Sequence, residues 1–235
     1  MIRRAKSWLD GRFGSWRGLV RLAIADLLWW LGPYRKYGRI DPGKVKRVVF
    51  ICQGNICRSP FAQYAAAGAI ADLPVTSVGL GASEGEGAFE TALAAAGAFS
   101  IDMAAHRAVA ARGFAFRDGD LCLVMEDRHI PVLLPHLRGK DVQVGLLGLW
   151  CRPRFALLYD PHRLGEAYFL ACFDRIRRSV EGLAGDLRSA RPGGQDRASE
   201  PPGPDEGAAF VRARRDQALP ATAARSAKNG IGSET

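Results

Sequence analysis

Residues 48–60 read Val48-Val49-Phe50-Ile51-Cys52-Gln53-Gly54-Asn55-Ile56-Cys57-Arg58-Ser59-Pro60, and their order decides the fold. An apolar strand runs into a cysteine; a polar turn follows, then an arginine and a Ser-Pro pair. Cys52 and Arg58 enclose five residues, a loop length that wraps one tetrahedral oxyanion. Gly54 and Asn55 both tolerate positive φ, so successive backbone N–H groups can converge on one point. Ser59 suits a helix N-cap and Pro60 the first helical position, which turns the positive end of a helix toward the loop. The expected unit is strand, anion cradle, helix.

Spacing alone does not single this loop out. Cys122 and Arg128 have the same separation, as do Cys172 and Arg178. Cys122 lies in the apolar run Leu121-Cys122-Leu123-Val124-Met125, which reads as a buried strand; Cys172 lies on the helical pattern Phe169, Phe173, Ile176, Val180, Leu183. Neither is followed by a Gly-Asn turn and a Ser-Pro helix start. The plain alternative for Cys52 is an inert buried thiol at a strand end, and its context argues against that. A thiolate is the nucleophilic form of cysteine, and the helix end with Arg58 predicts a Cys52 largely ionised near neutral pH. Arg58 offers a planar fork for two phosphoryl oxygens, and the Ser59 hydroxyl can donate to the sulfur. Phosphoryl transfer depends chiefly on positioning and charge stabilisation, which such a loop supplies. It lacks an acid for the leaving oxygen.

Outward from the loop, the patterns give strands at 48–52, 75–79, 120–125 and 141–147. Helices are expected at 60–72, around 86–98, at 127–137 and at 165–187. Strands separated by helical runs predict an α/β fold with a parallel sheet and right-handed crossovers, its site at the carboxyl end of the first strand. The Ala-rich stretches 65–67 and 94–96 fit close helix–sheet packing.

The nine residues Cys52–Pro60 closely resemble the signature loop of the low-molecular-weight protein tyrosine phosphatase family. The resemblance continues in order over roughly residues 46–187, through Ser77-Val78-Gly79, His106-Arg107, Leu123-Val124-Met125, Val144-Gly145-Leu146-Leu147-Gly148 and Asp160-Pro161. It implies a three-layer αβα domain around a four-stranded parallel sheet, acting on phosphotyrosine through a cysteinyl-phosphate. It implies Cys52, Arg58 and Asp160 as catalytic residues, with Asp160 the acid. Gln53, Gly54, Asn55, Ile56, Cys57 and Ser59 would form the phosphate cradle, and His106 would help hold Asn55. From spacing alone, an Asp before Pro is commonly just a turn residue, and His106 a half-buried turn histidine. The resemblance implies no metal and no cofactor.

Departures from the family bear on substrate choice. His162 stands where an aromatic residue commonly follows Asp-Pro, and 82–87, Ala-Ser-Glu-Gly-Glu-Gly, supplies no second aromatic wall. Loss of a stacking ring typically costs ~0.5–1.5 kcal/mol. The Met-Asp that commonly ends the third strand is Met125-Glu126, a mild change. Arsenate reduction on the same fold is a first alternative; it requires a resolving cysteine, for which Cys122 is the candidate. A non-catalytic phospho-binding module is a second.

Charge is concentrated at one end. Residues 1–47 hold 12 Lys/Arg against 3 Asp/Glu, whereas the remainder holds 21 of each. The same leader holds Trp8, Trp16, Trp29 and Trp30, four of the five tryptophans. Val20, Ile24, Leu27, Leu28 and Leu31 share one helical face. As a helix, Leu19–Leu31 spans only ~20 Å against ~30 Å of hydrocarbon, so it does not cross a bilayer. No clean cleavage site follows, which argues against a secretory signal. Two readings remain open for this segment: an interfacial anchor on an anionic membrane, or a helix docked on the domain or a partner. Nothing else supports nucleic acid as a partner. Five cysteines, one inside the signature loop, suit a reducing compartment. The expected organisation is a basic leader at 1–45, a phosphatase domain at 46–188 and a disordered Pro/Gly/Arg-rich tail at 189–235. A cytoplasmic protein, peripheral on the inner membrane face, would fit all of this.

Overall fold

The computed structural model describes residues 2–189. Two helices, α1 (Ile2–Phe13) and α2 (Trp16–Trp30), precede the first strand, β1 (Arg47–Cys52). Then follow α3 (Arg58–Ala69), β2 (Val75–Gly79), α4 (Glu90–Gly97), β3 (Asp120–Val124), α5 (His129–Leu133), β4 (Gln143–Leu146) and α6 (Glu166–Ser189). The four strands are parallel in the order β2-β1-β3-β4. Every residue of β3 is buried, as is β1 from Val48 onward. Since successive side chains point to opposite faces, both faces of the sheet are covered, the three-layer arrangement expected from its unbroken apolar runs.

The register sets the site. Cys52 pairs with Gly79, and Ile51 with Val124, so the central strands end at one level with Cys52 on the rim. Behind it, α3 and α6 meet through Phe61 and Phe173, whose rings stack 4.0 Å apart. The stripe Phe169, Cys172, Phe173, Ile176, Val180, Leu183 of α6 is buried, as its spacing predicts. Ala92, Ala95 and Ala96 of α4 are buried as well. The helix expected at 127–137 is shorter: α5 stops at Leu133 and a 3₁₀ turn, Leu134–Leu137, replaces its end. Pro135 lacks the N–H that would continue the helix.

The leader is docked on the domain. Gly14, at φ 77°, turns α1 into α2, and the Ser15 hydroxyl accepts from Gly18 N at 3.1 Å to cap α2. A Cβ on Gly14 would fall 2.7 Å from Leu164 and 2.9 Å from Tyr168, so the hairpin lies tight on the start of α6. Arg175 of α6 donates to the Arg12 carbonyl and sits over the Phe13 ring. In α2, Gly18, Leu22 and Ala25 are buried, and Asp26 accepts from Ala156 N at 3.3 Å. Trp16, Val20, Ile24, Leu27, Trp30 and Leu31 face outward. One face of α2 therefore docks while the apolar stripe read from the sequence stays exposed, with Leu28 half-buried between. None of the described helices is long and apolar enough to cross a membrane. The tail expected at 189–235 lies, beyond Ser189, outside the described residues.

Candidate active site

The cradle hangs on Asn55. It is fully buried at φ 53°, the left-handed region where asparagine is among the better-tolerated residues. Its Nδ2 donates to Ser59 Oγ and Ser77 Oγ, both at 2.8 Å, and its Oδ1 accepts from Val109 N at 2.9 Å. Its backbone N–H points to Cys52 Sγ at 3.2 Å, and its carbonyl lies 2.7 Å from His106 Nε2. Burial holds His106 below the ordinary histidine range, against the pull of the Asn55 carbonyl, which fits a neutral ring donating through Nε2. The strained turn is thus at Asn55 alone, not shared with Gly54 as the sequence suggested. The glycine the loop requires is Gly79, where a Cβ would meet Asn55 N at 2.9 Å and Ala82 Cβ at 2.7 Å.

The helix starts earlier than expected. Cys57 is the N-cap of α3 and Arg58 its first residue; no side chain caps it. The first-turn amides are consequently left for a ligand, and Ser59 does other work. Ser59 Oγ accepts from Asn55 Nδ2, so its own proton is free for Cys52 Sγ, 3.0 Å away. Gln53 and Ile56 are joined to the adjacent loop through Gly81 N to Gln53 O and Phe89 N to Ile56 O, both 2.9 Å.

Arg58 is wholly buried and gripped from behind. Its Nη1 donates to Glu126 Oε1 at 2.6 Å and to the Leu158 carbonyl at 2.9 Å. Its Nη2 pairs with Asp160 Oδ2 at 2.7 Å, and its Nε–H has no partner. Nε and Nη2 share one edge of the guanidinium plane, the edge that grips two oxygens at once. Burial alone would lower its pKa, but the charges of Asp160, Glu126 and Cys52 hold it well above the ordinary value. Burial would raise Glu126, yet Arg58 and Arg128 hold it below the usual carboxylate range.

Asp160 faces Cys52 across a cavity of about 230 Å³ lined also by Gln53, Ile56, Gly81, Glu86 and His162. Its Oδ1 accepts from His162 N at 3.2 Å. The loop carrying it is pinned by Tyr168 Oη to the Tyr159 carbonyl at 3.3 Å. His162 meets Phe89 edge to face at 4.8 Å, and Phe89 lies against Phe169. Cys52, Arg58, Asp160, His162 and the loop residues therefore converge on one cavity, while His106 stands behind Asn55. Sequence reading missed Glu86 and Phe89, and it passed over Glu126 as a mild change. Glu126 is fully buried and holds Arg58, Arg128 and, through Oε2, Arg21. A carboxylate directly after a buried strand was the available signal. Cys122 is enclosed in β3, where burial pushes its thiol up to about 12, and Cys172 is pushed equally far. Neither is placed as a resolving thiol.

The profile of the low molecular weight phosphotyrosine protein phosphatase family matches residues 47–192, and the chain belongs to that family. It is a low-molecular-weight protein-tyrosine-phosphatase, a hydrolase. The low molecular weight protein-tyrosine-phosphatase Wzb of Salmonella typhimurium is 35% identical over 146 residues, covering 61% of this chain and 95% of that protein. The probable phosphatase AmsI of Erwinia amylovora is 30% identical over 140 residues, covering 58% and 94%. Among solved structures, Erwinia amylovora tyrosine phosphatase AmsI superposes with a TM-score of 0.54 at 26% identity, covering 61% of this chain and 93% of that one. Wzb from Escherichia coli K30 in complex with sulphate gives 0.52 at 27%, covering 61% and 99%.

Proposed function

We propose that Cys52 attacks the phosphorus of a protein phosphotyrosine while the loop amides and Arg58 hold the non-bridging oxygens. One observation carries this reading: a buried arginine whose Nε–H is unpartnered and whose Nη2, on the same edge, is occupied only by Asp160. An incoming phosphate takes that edge and displaces Asp160, which is thereby released toward the leaving oxygen. Nη1 stays on Glu126 and Leu158, so the fork keeps its orientation. Asp160, no longer paired with Arg58, takes up a proton from solvent; the Cys52 S–P bond then forms as the P–O bond to the phenol breaks, and Asp160 gives that proton to the leaving oxygen. The resulting carboxylate then takes a proton from water as the water oxygen attacks phosphorus; inorganic phosphate leaves and the thiolate returns, with the Ser59 hydroxyl donating to the sulfur. His106 and Ser77 act through Asn55 by holding the loop closed. The sulphate held by the related Wzb is consistent with an oxyanion in such a cradle.

The crevice beyond the cradle is walled by His162, Ile56 and Glu86 rather than by two aromatic rings, so substrate affinity rests more on the phosphate than on stacking. The leader adds a location. Its exposed stripe, set in a segment with 12 Lys/Arg, complements an anionic lipid surface. This would place the enzyme on the inner face of a membrane, beside membrane-bound phosphoproteins. The catalytic reading is tested with Cys52→Ser, which should abolish turnover of an aryl phosphate yet still bind inorganic phosphate by titration calorimetry. Substantial turnover by that variant would show that the nucleophile lies elsewhere.

A further inference from the structure

The family match begins at residue 47, and the Salmonella relative is covered over 95% of its length, so α1 and α2 have no counterpart in it. α2 nonetheless reaches the catalytic machinery. Arg21 Nη2 lies 3.3 Å from Oε2 of Glu126, the carboxylate whose other oxygen holds Arg58. No hydrogen bond reaches that Oε2, and Arg21 is the cation that lies against it. The same guanidinium sits 5.7 Å from the centre of the Tyr159 ring, next to Asp160 in sequence. One turn earlier, Gly18 lies against that ring as well; a Cβ there would be 3.1 Å from it. A single side chain from the added helix thus touches both supports of Arg58: the carboxylate behind it and the loop that carries the acid.

We propose that Arg21 is a positioning residue for phosphoryl transfer, supplied in cis by the leader, so that docking of α2 sets the activity of the site. The proposal rests on the roles of Arg58 and Asp160 given above. When phosphate takes the Nε/Nη2 edge, Arg58 must hold its plane through Nη1, with Glu126 the one charged partner left to it beside the Leu158 carbonyl. With Arg21 present, Oε2 is neutralised and Glu126 presents Oε1 squarely to Arg58. Without it, the buried Oε2 loses the cation beside it, and Arg128 and Arg58, both held at Oε1, are left to answer it; Arg58 is the one that carries the fork. Swinging toward Oε2 would turn the fork away from the cradle, and the unsupported Tyr159 would loosen Asp160. Small displacements of this kind at a reacting centre cost roughly ten- to a hundredfold in rate.

The test compares Arg21→Met, which keeps the aliphatic stem over Tyr159, with Arg21→Lys, which restores the charge. Arg17→Ala, on the exposed side of α2, serves as control. Each is assayed in the full-length chain on aryl phosphates of graded leaving-group basicity, with phosphate inhibition and melting midpoints measured in parallel. Arg21→Met should lose roughly tenfold or more in kcat/KM, weaken phosphate inhibition, and lose most on the poorest leaving groups, with Arg17→Ala unchanged. Arg21→Lys should recover a large part. Wild-type kinetics in Arg21→Met, or an Arg21→Lys as slow as Arg21→Met, would overturn the proposal whatever the melting midpoints. A failure of the catalytic reading is separately visible, as turnover in Cys52→Ser.

Discussion

Asn55 closes the phosphate loop by satisfying five groups at once, and this explains why a residue at φ 53° is tolerated in a fully buried site. A backbone conformation that costs of order 1–3 kcal/mol persists only when its surroundings over-determine it, and here four side chains and a sheet glycine do so. His129, whose Nε2 lies 3.9 Å from Glu126 Oε1, carries a different liability. It is buried, its ring nitrogens lack hydrogen-bond partners, and burial together with Arg58 lowers its pKa from 6.5 to about 4. The unfolded chain therefore takes up a proton that the folded chain refuses. Stability contributed by neutral His129 is present above about 6.5 and is lost as the pH falls toward 4, an effect on the order of 2 kcal/mol. Urea midpoints measured from pH 7.5 to 4.5 should fall steadily for the wild type and less steeply for His129→Gln. Parallel curves would show that His129 does not titrate in this way.

Among the elements, β1, the loop and α3 were legible because their chemistry is local. An apolar run, a Gly-Asn turn and a Ser-Pro pair can be read without knowing what packs on them. The start of α3 shifted to Arg58 because Ser59 serves the sulfur and Asn55, which no local rule distinguishes from capping. Asp160 was legible only through the family resemblance, since an Asp-Pro turn is common. Arg21, Glu126 and Phe89 were not legible as site residues, for their roles exist only once distant segments meet. The leader showed an amphipathic helix, but not that Gly18, Leu22 and Ala25 would seek the domain while Val20, Ile24, Leu27 and Leu31 stayed out. That division predicts two separable losses. A chain starting near Val45 should melt several degrees lower, because the sites that receive Leu22, Ala25 and Arg21 are laid open. On the full chain, Ile24→Asp with Leu27→Asp should leave melting and turnover unchanged yet abolish salt-sensitive co-sedimentation with anionic vesicles. Undiminished vesicle binding by that pair would remove the outward stripe as a lipid-facing surface.

At the scale of the molecule, the sheet supplies a rigid rim, α3 an uncapped positive end, and the segment before α6 a carboxylate on the arginine edge that the proposed reaction gives to the incoming phosphate. Such sharing requires Asp160 to be both the partner Arg58 gives up and the group that first donates and then accepts a proton. The two steps separate when the leaving group needs no acid. With p-nitrophenyl phosphate, attack by Cys52 should proceed with little help from Asp160, whereas hydrolysis of the cysteinyl-phosphate should still require its carboxylate. Rapid acid-free quench of Asp160→Asn with that substrate, followed by mass spectrometry of the peptide containing residues 48–60, is the most direct measurement. An initial burst of nitrophenol is expected, with a phosphoryl group accumulating on Cys52. Turnover with no phosphorylated Cys52, or a phosphoryl group trapped on any other residue, would contradict that mechanism.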